Sequence, residues 1–399
     1  MKDKKLSIST VIVLIALSVL VTFQLTYLRV NNKYQKALNE IRETQLLYDK
    51  LASVDSVYRD SFIGEIDEKK LIDYMLKGYV AGTGDKYGAY FTKDEFTELL
   101  KDSNAEFVGI GVSLIYDSDE KVLRVANVMP ASPALEAGLN PGDSIISVDG
   151  IPVGTLGYSA AMGMLRGEEG TKVRFTAISG SEVRDYELER RKITEYTVYE
   201  RIYSKDAEIG IVQILEFDTG TPAQFKAAID GLLEKGVKKI IFDVRNNSGG
   251  ALDSIHEILD YLLPEGVIIR MYDADGKEET RTSDASSIDC EMAVLVNGHT
   301  ASAAELFASV LRDFDKAFLV GEKTYGKGTV QTIRQLYDGS AISVSDRLYS
   351  PPVSDNYEGK GIEPDIKAEQ SEENKNTSVF LLTDDNDAQL AAAVREISK

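Results

Sequence analysis

The feature that most constrains this chain is its first hydrophobic run. Residues 6–28 carry no charge and are mostly apolar, which at about 1.5 Å of helical rise per residue is long enough to cross a bilayer. A buried core helix is the competing fate. The position behind Lys2, Lys4 and Lys5, at the start of the chain, favours the membrane. Those lysines resemble the basic region of an export signal, but no convincing small-x-small cleavage site follows Val21, so the run reads as an uncleaved anchor. Arg29, Lys33, Lys36 and Arg42 follow the span closely, and the positive charge on its two sides is nearly balanced. The short tail is the part expected to stay in the cytoplasm, with everything after the anchor outside it.

The remainder of the 399 residues, 43% hydrophobic, suffices for two or three domains with their own cores. A formal net charge of −20 excludes nucleic acid as the main partner, since phosphate binding needs concentrated Lys and Arg. The single cysteine, Cys290, rules out an internal disulfide framework and any Cys-x-x-Cys site. With only His256 and His299, a histidine-rich metal centre is out of reach, and no metal or other cofactor is expected.

After the anchor, Tyr34, Leu38, Ile41, Tyr48 and Ala52 draw a stripe along one face of a helix over 32–61, suited to a stalk or to dimerisation. A second helix is expected over 67–79, and Thr92 to Glu95 reads as the capped start of a third. No chemistry attaches to these segments. From Phe107 the pattern becomes short alternating strands (109–114, 122–128, 144–150) broken by glycine, with a short helix closed by Gly138 and a Pro-Gly turn. These residues, 130–150 above all, resemble a PDZ domain spanning 105–192. The resemblance implies that Gly109, Ile110, Gly111 and Val112 form the loop that receives a peptide's terminal carboxylate on backbone N–H groups. From 193 the pattern is α/β, with strands over 209–215, 240–244, 293–296 and 317–320 and helices over 222–234 and 252–263, a buried mixed sheet. A disordered linker is expected over 369–377 and a last helix over 387–397.

Three segments place glycine and small polar residues where a strand meets a loop, the usual position of sites in α/β proteins. Residues 243–250 read Asp-Val-Arg-Asn-Asn-Ser-Gly-Gly, 296–305 Val-Asn-Gly-His-Thr-Ala-Ser-Ala-Ala-Glu, and 321–331 Gly-Glu-Lys-Thr-Tyr-Gly-Lys-Gly-Thr-Val-Gln. In the second, Leu306, Phe307, Val310, Leu311 and Phe314 recur at helical spacing, which puts Ser302 in the first turn of a buried helix, where free N–H groups favour developing negative charge. From that segment alone a helix-capping serine is an equal reading. His299 and His256 offer no dedicated Asp pairing for a conventional triad. A desolvated lysine is the other available base, and segment 321–331 holds two.

Together the three segments, with Gly-Lys-Gly-Ile-Glu-Pro-Asp-Ile over 359–366, resemble the S41 family of C-terminal processing peptidases across about 65–370. The resemblance implies Ser302 as nucleophile, Lys327 as general base and Gln331 as the third catalytic residue, orienting the lysine amine. The family's Ser-Ala-Ser-Ala-Ser cluster reads Thr-Ala-Ser-Ala-Ala here, leaving only the central serine. Residues 247–250 resemble the oxyanion loop, with Ser248 where the family carries proline; the donors are taken as the N–H groups of Gly250 and Ala303, and which glycine donates stays open. A P-loop is excluded by the absence of a Gly-Lys-Ser/Thr element. Arg166 matches a basic position in relatives and is expected to couple the PDZ domain to the protease.

The implied architecture is α/β: a crotonase-like protease core with an inserted β-rich PDZ domain, an N-terminal transmembrane helix and a helical cap. Its parts are a cytoplasmic tail and anchor over 1–30, a helical stalk or dimerisation region over 31–104, the PDZ domain over 105–192, the core over 193–370, and a linker with a terminal helix over 371–399. The implied function is that of a membrane-anchored, extracytoplasmic serine endopeptidase, homodimeric through its terminal helices, that reads substrate C-termini. The rival is a non-catalytic PDZ scaffold tethering partners at the membrane.

Overall fold

Residues 8–61 contain neither glycine nor proline, so nothing interrupts helical hydrogen bonding there. The computed structural model, which describes residues 8–102, 106–375 and 377–399, accordingly joins the expected anchor and stalk in one helix, α1 (Ile8–Ser61). Lys2, Lys4, Lys5, Leu6, the side chain of Ile41 and the boundary at 105 lie outside the described residues. The chain divides into two units, Met1–Met75 and Leu76–Lys399. In the first, the stretch Ile12–Lys36 of α1 is long and apolar enough to cross a membrane. Near its end Arg59 forks onto both carboxylate oxygens of Glu68, at 2.5 and 2.9 Å, and onto Asp55 at 2.7 Å. These groups are exposed, so the pairs fix geometry more than they add stability. Glu68 opens α2 (Glu68–Gly82).

In the second unit, β1 (Ala89–Phe91) is followed by α3 (Lys93–Asp102), whose entry is the expected capping box: Thr92 N–H donates to Glu95 Oε2 and Glu95 N–H to Thr92 Oγ1. A β-rich module follows. Its strands β2 (Glu106–Gly109), β3 (Val112–Asp117), β4 (Val122–Val128), β5 (Ser144–Val148), β6 (Ile151–Pro152), β7 (Lys172–Ser179), β8 (Glu182–Glu189) and β9 (Arg191–Thr194) enclose the short α4 (Pro133–Glu136) and the longer α5 (Val153–Leu165). The main sheet runs β3-β4-β5-β7-β8, with β6 beside β5, over a core of Leu123, Val125, Ile145, Val173 and Phe175. β2 pairs with β9 where the chain enters and leaves, which makes the module an insertion.

The larger body contains β10 (Val198–Ile202), β11 (Ile209–Ile214), α6 (Thr221–Glu234), β12 (Lys239–Asp243), α7 (Leu252–Leu262), β13 (Gly266–Asp273), β14 (Glu278–Ser283), β15 (Glu291–Val296), α8 (Ala303–Asp313), β16 (Ala317–Gly321), β17 (Thr329–Gln335), β18 (Ala341–Ser350), β19 (Ile366–Lys367) and α9 (Ala388–Ile397). One sheet has the order β10-β11-β12-β15-β16-β19, parallel except for the β10 edge, which is the mixed sheet expected. A second, antiparallel sheet runs β1-β18-β13-β14 with β17 also on β18, so residues 89–91 belong to this body's framework. α8 is buried on every side from Ala303 to Leu311, and Phe307 holds it edge-on against Phe242 at 5.2 Å and Phe225 at 6.4 Å. A helix so locked fixes the direction of its first residue.

Two expectations about the end of the chain change. The apolar face of α9, with Leu390, Ala393 and Ile397, packs on Ile211, Ile241, Leu295 and Val320 of its own sheet, so that face is not open for dimerisation. The stretch read as a free linker is tied down at Gln370, whose amide donates to Asp387 at 2.8 Å and accepts from Ala388 N–H.

Candidate active site

The parallel strands β12 and β15 end side by side, and polar side chains lace the loops that follow them. Asn246 and Asn297 exchange two hydrogen bonds of 3.0 and 2.8 Å, Thr300 Oγ1 donates to Val244 O, and Ala301 N–H donates to Asn247 O. Ser302 follows at φ 56°, ψ −121°, a conformation that costs a residue with a β-carbon about 1–3 kcal/mol and persists only where its surroundings impose it. It stands at the mouth of α8, half-buried, while its neighbours Ala301 and Ala303 are buried.

Glu305 imposes it. One helical turn into α8 and fully buried, its Oε2 accepts the N–H of Ser302 at 3.0 Å and that of Lys327 at 2.8 Å; its Oε1 accepts Thr324 Oγ1 at 2.5 Å and Gly326 N–H at 2.7 Å. Desolvation raises the pKa of this carboxyl, against the four donors, which favour the anion. The carbonyls are fastened from below: buried Tyr349 donates to Lys327 O at 2.7 Å and buried Tyr357 to Ser302 O at 3.4 Å. Burial pushes both phenols upward, which keeps them neutral donors. Ser302 and Lys327, twenty-five positions apart in sequence, thus have both N–H groups on one carboxylate oxygen and both carbonyls on a pair of edge-to-face tyrosines. Sequence reasoning missed Glu305, although Ser-x-x-Glu before an apolar run is a capping-box signature.

Lys327 is half-buried, and desolvation lowers its pKa, opposed by Glu358. Its amine lies 4.8 Å from the centre of the Tyr87 ring and, among the described residues, makes no hydrogen bond to Ser302 Oγ. The 31–104 segment, read as carrying no chemistry, therefore contributes to this site. Gln331 is not on the lysine either: its amide N–H groups go to Thr329 Oγ1 at 2.9 Å and Ser345 Oγ at 3.2 Å. Lys327 precedes β17, which begins at Thr329, and the Gln331 amide is held by its own strand and by β18 rather than by the lysine. Ser345 in turn donates to Asp85 at 2.7 Å, and Asp85 accepts Tyr87 N–H at 3.0 Å, so Gln331 and the backbone of Tyr87 are joined through one chain of hydrogen bonds. His299 is exposed and His256 is engaged with Thr282 O at 3.1 Å, and among the described residues neither ring bonds Ser302 or an aspartate.

The glycines of the 247–250 loop have different tasks. A β-carbon on Gly249 (φ 108°) would lie 2.7 Å from Ser302 Cβ and 2.9 Å from Ala303 N, so only glycine lets the loop close over the serine; its N–H is already taken by Asn247 Oδ1 at 2.8 Å. Gly250 (φ 143°) is pressed against Phe217 O, where a β-carbon would come within 2.2 Å. Its N–H and that of Ala303 donate to no protein acceptor among the described residues.

In the inserted module, a groove of about 540 Å³ runs between β3, the outer strand of its sheet, and α5. Gly109, Ile110, Gly111 and Val112 close one end, with the Ile110 and Gly111 carbonyls held by Ala134 and Met129 N–H groups. Arg166, exposed at the end of α5, lines the groove with Glu195 and Glu216 of the core body. Desolvation and the nearby Glu195 and Asp218 raise the Glu216 carboxyl.

Residues 208–368 match the model of peptidase family S41 and residues 124–178 that of a PDZ domain. A probable CtpA-like serine protease of Staphylococcus aureus (strain COL) is 30% identical over 381 residues, covering 92% of this chain and 75% of that protein. Its counterpart in Staphylococcus haemolyticus (strain JCSC1435) is 35% identical over 302 residues, 75% of this chain and 60% of that one. The solved structure of an S41 protease from Bacteroides fragilis shares the fold, with a TM-score of 0.59 at 18% identity over 86% of this chain and 94% of that one.

Proposed function

We propose the following chemistry for this chain, which belongs to peptidase family S41 beside the CtpA-like serine proteases. It is an endopeptidase that uses Ser302 as nucleophile and Lys327 as general base. The observation that carries this reading is the single Glu305 oxygen receiving the N–H groups of both residues. With their backbones so fixed, rotation of the lysine side chain from the Tyr87 ring brings its amine to Ser302 Oγ. Neutral Lys327 takes the hydroxyl proton as Oγ attacks the scissile carbonyl, then returns it to the leaving amine; water releases the acyl enzyme. The oxyanion is held by the N–H groups of Gly250 and Ala303, which have no protein acceptor of their own. Gln331 steers the lysine from its place in the Ser345–Asp85–Tyr87 chain.

The test is covalent labelling by a fluorophosphonate, with the modified residue found by mass spectrometry. Ser302 should be labelled, and faster as pH rises through the lowered pKa of Lys327, because only the neutral amine is a base. The same shift acts on stability. Between the lowered value and the ordinary lysine value the unfolded chain binds the extra proton, so stability contributed here increases with pH across that window. Label on another residue, or a rate flat with pH until the ordinary lysine range, overturns the assignment.

The remaining parts are proposals of the same reading. The domains keep the boundaries given above except that residues 89–91 join the core's antiparallel sheet, with a crotonase-like core under a helical cap; Ile12–Lys36 anchors the chain with its catalytic body outside the cytoplasm, as a homodimer. The Gly109–Val112 loop receives a substrate's terminal carboxylate, the tail adding a strand to β3. Arg166, in the groove with Glu195 and Glu216, passes tail binding to the core. A substrate with a free C-terminus should be cleaved about tenfold more efficiently than its amidated form, a difference of about 1.4 kcal/mol. Arg166→Ala should lower turnover without weakening the tail's binding. Equal cleavage of both substrates removes carboxylate reading, and a fully active Arg166 variant removes the coupling.

A further inference from the structure

A fully bonded charge is buried at the root of the loop that closes over Ser302. The Arg245 guanidinium, two residues before the oxyanion loop, is buried to 3% exposure and uses all five of its N–H groups. Nε and Nη2 donate to the two oxygens of Asp243 at 2.9 and 2.6 Å; Nη2 and Nη1 donate to those of Asp387 at 2.7 and 3.1 Å; Nη1 also donates to Gln389 Oε1 at 2.9 Å. Asp387 and Gln389 belong to the start of α9, beyond the 208–368 segment that matches the family. Asp387 is completed by Gln370 and by the N–H groups of Gln389 and Leu390. Burial raises its pKa, but the guanidinium more than offsets this and holds the carboxyl below the ordinary range.

Docking of α9 does not require this network, because Leu390, Ala393 and Ile397 already bury against the sheet and a buried ion pair adds little stability over apolar packing. What planar, bidentate bonding supplies is direction. It fixes the backbone of residue 245, from which the chain passes through Asn246, locked to Asn297, into the loop that closes over Ser302. On its other side Gln389 donates to Glu322 at 3.1 Å, within the segment that carries Lys327. The entrance of α9 therefore touches both loops of the site.

We infer that Asp387 is a positioning residue: through Arg245 it sets the oxyanion loop against Ser302, so the terminal helix controls turnover. The inference rests on the assignment of Ser302 and the loop made above. The test uses the full chain with Asp387→Asn, Gln389→Met, Leu390→Ala and Ser302→Ala, measuring kcat, KM, Tm and the rate of fluorophosphonate labelling. Asp387→Asn should lower kcat and labelling about tenfold or more with KM within about twofold, well below its Tm. Gln389→Met, which takes one acceptor from Arg245 and removes the amide's bonds to Glu322, Ala368 O and Gln370 while leaving Asp387 in place, should shift kcat the same way by about threefold. Leu390→Ala should lower Tm at least as far yet keep kcat within about twofold. Wild-type turnover in Asp387→Asn, or kcat losses that simply follow Tm across the helix variants, overturns the inference. If Asp387→Asn does not fold, unchanged kcat in Gln389→Met has the same force. Persisting cleavage in Ser302→Ala defeats the site assignment itself, whereas an inert Ser302→Ala beside a fully active Asp387→Asn defeats the role of Asp387 alone.

Discussion

Replacement of Ser302 by alanine should reduce peptide cleavage by about ten-thousand-fold or more, with what remains due to substrate binding and the oxyanion donors. Lys327→Ala should fall to a similar level, and the double variant should be little worse than either, because base and nucleophile act in one step. The fold should survive both changes. Alanine at 302 keeps the positive φ and the Glu305 bond to its N–H, and truncating Lys327 releases a half-buried amine that desolvation already disfavours. Ser302→Gly separates strain from chemistry: it should be as inactive as the alanine variant yet about 1 kcal/mol more stable than wild type, since glycine adopts φ 56° without penalty. Steady-state cleavage of an unfolded model protein and urea midpoints are the measurements. Cleavage near wild type in either single variant, with the protein folded, would falsify the dyad.

The sequence made legible whatever depends on local pattern. The parallel strands at 239–243 and 291–296 were readable as short apolar runs, and the loops after them as clusters of glycine and small polar residues, because buried strands and tight approaches leave few residue types available. The inserted β-rich module was visible for the same reason, and its resemblance to a PDZ domain rested on residues 130–150. What stayed hidden was contact across long separations. Nothing in the vicinity of Tyr87 announces that β1 pairs with β18 and delivers its ring under Lys327, a pairing between residues 89–91 and 341–343. A lone Arg245 in a small-residue loop gives no sign of Asp387, 142 positions away. That the Gln331 amide bonds Thr329 and Ser345 depends on the pairing of β17 with β18, which no local pattern in the sequence displays. The helix expected over 387–397 is present at 388–397, but the apolar face that suits dimerisation packs on its own sheet, since periodicity reports an apolar face and not what covers it.

Glu305 was within reach of the sequence and carries the second large effect. Four donors converge on its carboxylate, two on each oxygen, and the residue has no water-facing surface. Glutamine has nearly the same shape but cannot replace it, because its NH₂ must face either the two N–H donors of Ser302 and Lys327 or that of Gly326 beside the Thr324 hydroxyl. Glu305→Gln should therefore destabilise the protein by about 2–4 kcal/mol through unsatisfied buried donors. Leucine, which leaves all four unsatisfied, should cost more. Activity should fall further than stability explains. With the NH₂ in the place of Oε2, the N–H groups of Ser302 and Lys327 lose their common acceptor, so the strained backbone at 302 is free to relax toward negative φ; with it in the place of Oε1, Gly326 N–H loses its acceptor and the loop carrying Lys327 shifts, and either way the line between base, hydroxyl and oxyanion donors is lost. At a temperature where Glu305→Gln is fully folded, kcat should be down at least about a hundredfold, and fluorophosphonate labelling of Ser302 should slow in parallel, without a matching change in KM. Glu305→Asp is the complementary probe: it keeps the charge but withdraws it by one methylene, so it should retain more stability than glutamine while still losing most turnover. A glutamine variant that is both stable and active would mean that the carboxylate is only a helix cap, and that nucleophile and base are set by the tyrosines beneath them.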